Sequence, residues 1–116
     1  MTMEKLKDEE ARLKLSLAET QSKHAELSRR ADELRKMMDE LRNRFKAARD
    51  EVEASRIEAS MYNVSQRLRP VEDELSEVER KIKGTETALE IVKRRIESLT
   101  SAGKGKWVVE YKREED

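Results

Sequence analysis

Cysteine is missing from this sequence, proline occurs once, glycine three times, and aromatic residues make up 3% of its 116 positions. Each shortage excludes something. Without cysteine there are no disulfides and no thiolate metal sites, which is compatible with a reducing compartment and makes the cytoplasm the expected location. With one proline and three glycines the chain has few of the residues that build loops. With so few aromatics and only 35% hydrophobic residues it lacks the material for the core of an ordinary globular enzyme. No sign of charge predominates, since 26 basic residues stand against 26 acidic ones. The balance is also local: residues 1–60 hold 14 of each sign and residues 61–100 hold 8 of each. A nucleic-acid binder usually shows a basic segment at this scale, so nucleic acid is not the expected partner. No long apolar run is present, and Met1-Thr2-Met3-Glu4-Lys5 opens none, so no signal peptide and no membrane span are expected.

What is present is charge, at 45% of residues, arranged with a regular apolar repeat. Leu6, Leu13, Leu27, Leu34 and Leu41 recur every seventh position and continue to Ala48, with Thr20 in the gap. Met3, Leu17, Ala31, Met38, Phe45 and Val52 form the accompanying column, interrupted by Glu10 and His24. These are the d and a positions of a coiled-coil heptad. A second register places Met61, Leu68, Leu75, Ile82, Leu89 and Ile96 at a, and Ile57, Val64, Val71, Val78, Thr85, Val92 and Leu99 at d. The two registers do not join, because the rhythm stops at Val52 and restarts at Ile57.

The fold expected from this break is all-α: a long antiparallel two-helix coiled-coil hairpin with a short, extended C-terminal tail. Its helices would cover residues 3–52 and 57–99, joined by a turn at 53–56 where Ser55-Arg56-Ile57-Glu58 fits a capping box. Phase is kept across Pro70 (Val64, Leu68, Val71, Leu75), which predicts a kink inside a continuous helix rather than a helix start. Folding there would set Val52 opposite Ile57, Leu34 opposite Leu75 and His24 opposite Thr85, and would attract Arg49 to Glu58, Arg42 to Glu72, and Arg35 to Glu72 and Glu79. The alternative is a single kinked rod-like helix forming a parallel dimeric coiled coil. Thr100 to Lys106 reads as a helix stop and linker. Beyond it, Trp107, Val109 and Tyr111 alternate as a strand would, so residues 101–116 are expected to be a linker with a strand-like tail.

Chemistry is sparse. His24 is the only histidine, and its place in an a column makes it a polar core layer rather than a metal ligand. Gly103-Lys104-Gly105-Lys106 lacks the spacing and the following Ser or Thr of a phosphate loop. No nucleophile–base constellation can be assembled, so neither an enzyme nor a cofactor is expected. Three candidate surfaces remain. One is the tail, where Trp107, Val109 and Tyr111 could add a strand to a partner. The second is an apolar stripe outside the heptad seam, Ala11, Leu15, Ala18 and Ala25 with Ala88 and Ile91, which suits docking or self-association. The third is the stretch Arg29–Arg49, with eight basic and four acidic residues, in which Arg35, Arg42 and Arg49 could form a basic patch. The function these features suggest is a structural and interaction protein: a spacer, tether or assembly subunit with protein partners. A filament- or nucleic-acid-binding module using Arg29–Arg49, or a helical stalk regulating an ATPase or chaperone, is the alternative. No family motif appears along the chain.

Overall fold

The computed structural model describes residues 2–108, with side chains described for residues 2–101. Helix α1 (Met3–Lys46) begins at a threonine cap: Thr2 Oγ1 accepts a hydrogen bond from the Lys5 amide at 3.1 Å. Such a cap satisfies one of the donors left open in a first helical turn. Helix α2 (Glu51–Val108) carries Glu51 and Glu53 in its own first turn. Acidic side chains there, and Arg44 and Lys46 at the end of α1, match the polarity of the two helix dipoles.

The turn falls at residues 47–50, about six residues before the expected one. Helix α1 closes on a tightened turn, in which the Ala48 amide donates to the Phe45 carbonyl at 3.2 Å and Ala47 shares its amide between Asn43 and Arg44. Asp50 then caps α2: its Oδ1 accepts from the Glu53 amide at 2.8 Å, while Glu53 Oε1 accepts from the Arg49 amide at 3.0 Å. This reciprocal capping is worth about 0.5–2 kcal/mol. Asp50-Glu51-Val52-Glu53 therefore takes the role expected of Ser55-Arg56-Ile57-Glu58, which lies inside α2. No residue of the turn adopts positive φ, so it needs no glycine. The turn also rules out the single rod, since the chain reverses on itself.

Pro70 lies inside α2, which runs on through it. Proline frees the carbonyl four residues earlier, here that of Gln66. Both Gln66 and Pro70 are exposed, so the freed carbonyl is on the side where water can reach it. At the other end, α2 passes through the expected stop at Thr100–Lys106 and reaches Val108. Extending an existing helix needs no new nucleus, and Ala102, Lys104 and Lys106 offset part of the cost of about 1 kcal/mol at each of Gly103 and Gly105. Trp107 thus belongs to α2 by its backbone. Its side chain, and Val109 and Tyr111, lie outside the described residues, and no strand occurs among the described ones.

The chain divides into two compact units. In the unit of residues 20–81, which contains the turn, Leu27, Ala31, Leu34 and Met38 of α1 are buried together with Ile57, Val64, Val71, Leu75 and Val78 of α2. In the unit formed by residues 1–19 and 82–116, Leu6, Leu13, Leu89 and Val92 make a core against which Leu17, Ala88 and Ile96 pack. Each large aliphatic side chain so covered contributes roughly 1.5–3 kcal/mol. The heptad columns are thereby consumed within the chain. The expected a and d residues are buried or half-buried, apart from Phe45, Val52 and Leu99 at the ends of the repeats.

The moved turn changes which layers meet. His24 Nε2 donates to Glu79 Oε2 at 3.0 Å, and Lys23 Nζ lies 3.3 Å from Glu74 Oε2. His24 is therefore level with Val78, one heptad short of the Thr85 expected opposite it. By the same displacement Leu27, not Leu34, is level with Leu75, and Leu34 is level with Leu68. Val52 cannot face Ile57, because both belong to α2.

Candidate functional site

The stretch Arg29–Arg49 is the first candidate, and Arg35 and Arg42 within it hold carboxylates. Arg35 Nη2 donates to Glu72 Oε2 at 3.1 Å across the helices, as expected, and Nη1 donates to Asp32 Oδ1 at 3.2 Å. Arg42, expected on Glu72, instead donates from Nη1 to Asp39 Oδ1 at 3.2 Å, one turn back on its own helix, and Glu72 is taken by Arg35. Arg49 sits in the turn, its amide held by Glu53. With Lys23 on Glu74 and His24 on Glu79, the acidic run of α2 complements this part of α1. Each pair is solvent-exposed and worth about 0.2–1 kcal/mol. Arg35, already holding two carboxylates, has fewer donors left for a phosphate. A shallow cleft of about 400 Å³ opens here between Arg35, Met38, Asp39 and Arg42 on one helix and Ser65, Leu68 and Glu72 on the other. Its walls are ion pairs around two apolar floor residues. Nothing in it pairs a nucleophile with a base.

The apolar stripe is the second candidate. Leu15 is 63% exposed and Ile91 45% exposed, and Ala11, Ala18 and Ala25 are exposed as well. Ala88 differs, being drawn against the Leu6–Leu13–Leu89–Val92 core. Heptad geometry separates the remainder. Ala11, Ala18 and Ala25 occupy b and Leu15 occupies f, whereas Ile91 occupies c of its own register. In an antiparallel pair the e and b positions of both helices share one flank and the g and c positions share the other. The observed contacts follow that rule: Arg35 and Glu72 are both e, and Lys23 and Glu74 are both g. Ile91 thus faces away from Ala11 and Ala18, and the stripe is two features rather than one. This split is invisible until the helices are paired.

Two residues with a structural say were missed by sequence reading. Asp50 and Glu53 sit in a run of charges, and only the position of the turn makes them a cap. The signal was there in part, as an Asp followed three residues later by a Glu. Among the described residues no group of three or more acidic or histidine side chains is placed to hold a metal ion, and no helix is long and apolar enough to cross a membrane. The described architecture defines the class: an all-α helical hairpin whose apolar repeats are satisfied within one chain. Compared with protein-family models, curated proteins and solved structures, the chain matches none.

Proposed function

We propose that this protein is a non-enzymatic structural module of the cytoplasm, a coiled-coil spacer, tether or assembly subunit that works by contacting other proteins. The observation that carries this reading is Leu15: a large aliphatic residue 63% exposed between exposed Ala11 and Ala18, on a helix whose own seam is already filled. Contact through such a face gains apolar burial. Trp107, Val109 and Tyr111 are second candidates for a partner contact, on sequence grounds. The alternative of polyanion binding is less well supported, since Arg35 and Arg42 already serve carboxylates.

The test is comparative affinity purification with the full chain, its Leu15→Glu variant and a chain lacking residues 104–116. Leu15→Glu should leave helix content and melting unchanged, because the site is exposed, and should lose partners that the parent retains. Recovery of the same proteins by all three would remove the basis of the proposal. A salt-sensitive retention of nucleic acid, lost on charge reversal of Arg35, Arg42 and Arg49, would favour the alternative.

A further inference from the structure

We propose that the hairpin has a second packed register, displaced by one heptad or about 10 Å along the helix axes, and that Lys23 and the Asp50 cap hold it in the observed one. Both helices carry a seven-residue repeat, so a slip of one heptad sets each column against the same column again. Leu34 would move from Leu68 to Leu75, Met38 from Val64 to Val71, and Ala31 from Val71 to Val78. All of these positions on α2 are apolar and already buried or half-buried.

The ends of the repeats do not settle the choice. The observed register covers Leu6, which is 2% exposed, but leaves Phe45 40% and Val52 61% exposed. The slipped register would reverse this, covering Phe45 and Val52 and releasing Leu6. Nor does the turn forbid the slip. Ala47, Ala48 and Arg49 are good helix formers with no glycine or proline among them. If α1 continued through them to Val52, the Ser55-Arg56-Ile57-Glu58 box would stand ready to cap the shortened α2.

Charge then separates the two states. Arg35 is neutral to the choice, because Glu79 stands one heptad beyond its present partner Glu72. Lys23 is not. It lies 3.3 Å from Glu74, and one heptad further α2 offers Lys81 instead. The slip would trade an attraction for a repulsion and would also open the Asp50–Glu53 cap. A partner that grips the exposed Phe45 and Val52 would favour the observed register, and one that takes up Leu6 would favour the other, each by its difference in affinity for the two states. The hairpin is in this sense a sliding switch.

The chain has no cysteine, so an engineered thiol pair is the only pair that can form. Leu27→Cys with Leu75→Cys reports the observed register and Leu34→Cys with Leu75→Cys the slipped one, since thiols a heptad out of step are too far apart to bridge. In a glutathione redox buffer the first pair should close readily and the second slowly. Adding Lys23→Glu and Asp50→Ala should raise the closed fraction of the second pair at least fivefold and lower that of the first. Failure of the second pair to close there, with helical circular dichroism undiminished, overturns the proposal. A second measurement needs no added mutation. Leu34→Cys/Leu75→Cys forced closed by a strong oxidant should keep the helix content of its reduced form and melt cooperatively. Loss of helix on oxidation would show that the slipped register is not a packed state.

Discussion

Gly84 shows how much a single residue can reveal. It lies in the interior of α2 with ordinary helical backbone, and a Cβ built on it would meet nothing within 4 Å. Neither conformation nor packing within the chain requires glycine there. Gly84→Ala should therefore stabilise the protein by about 0.5–1 kcal/mol, through backbone entropy in the unfolded chain and helix propensity. A rise in the urea midpoint without a change in slope would record it, and an unchanged or lower midpoint would count against the helical assignment at that position. His24 makes the complementary point. Its heptad place marks it as a polar layer, yet its partner Glu79 comes from an e position, outside the column in which sequence reading looked for one. Side chains as long as His and Glu leave their column, so column arithmetic names their level better than their partner.

At the scale of the element, the ends and interruptions of helices are where propensity competes with context. Asp50→Ala removes the acceptor of the Glu53 amide and should cost about 0.5–2 kcal/mol. Ser55→Ala, at the cap suggested by the sequence, should cost almost nothing because Ser55 is inside α2. Comparing the two by thermal melting locates the turn without a structure. Pro70→Ala restores a donor to the Gln66 carbonyl on an exposed face, and should stabilise the fold by up to about 3 kcal/mol. An unchanged melting temperature would mean that α2 is already broken at Pro70.

At the scale of the whole molecule the question is which layers meet. A double-mutant cycle on Leu27→Ala and Leu75→Ala should give a coupling of about 0.5–3 kcal/mol, because the two share a layer. The cycle on Leu34→Ala and Leu75→Ala should be additive to within about 0.5 kcal/mol, being a heptad out of step. The reverse pattern would place the protein in the slipped register from the start.

Much of this was legible in the heptads. The a and d columns from Met3 to Leu99 named nearly every buried residue, since a stripe repeating every seven positions can be covered only by a second helix. The phase kept from Val64 to Leu75 correctly carried α2 across Pro70, and the attraction of Arg35 to Glu72 holds, whereas that of Arg42 to Glu72 gives way to Asp39. The turn was not legible. Ala47-Ala48-Arg49 has no glycine, proline or asparagine to announce it, and the break in rhythm after Val52 pointed a few residues too far. The end of α2 was misjudged in the same way, by weighing Gly103 and Gly105 without the helix already formed behind them. Local composition and periodicity thus determined the helices and their buried faces, and favoured an antiparallel return over a single rod. Only the tertiary structure decided the register, because layers one heptad apart are alike in apolar content and differ in what a single sequence column cannot show: which cap closes the turn, and whether Lys23 meets Glu74 or Lys81.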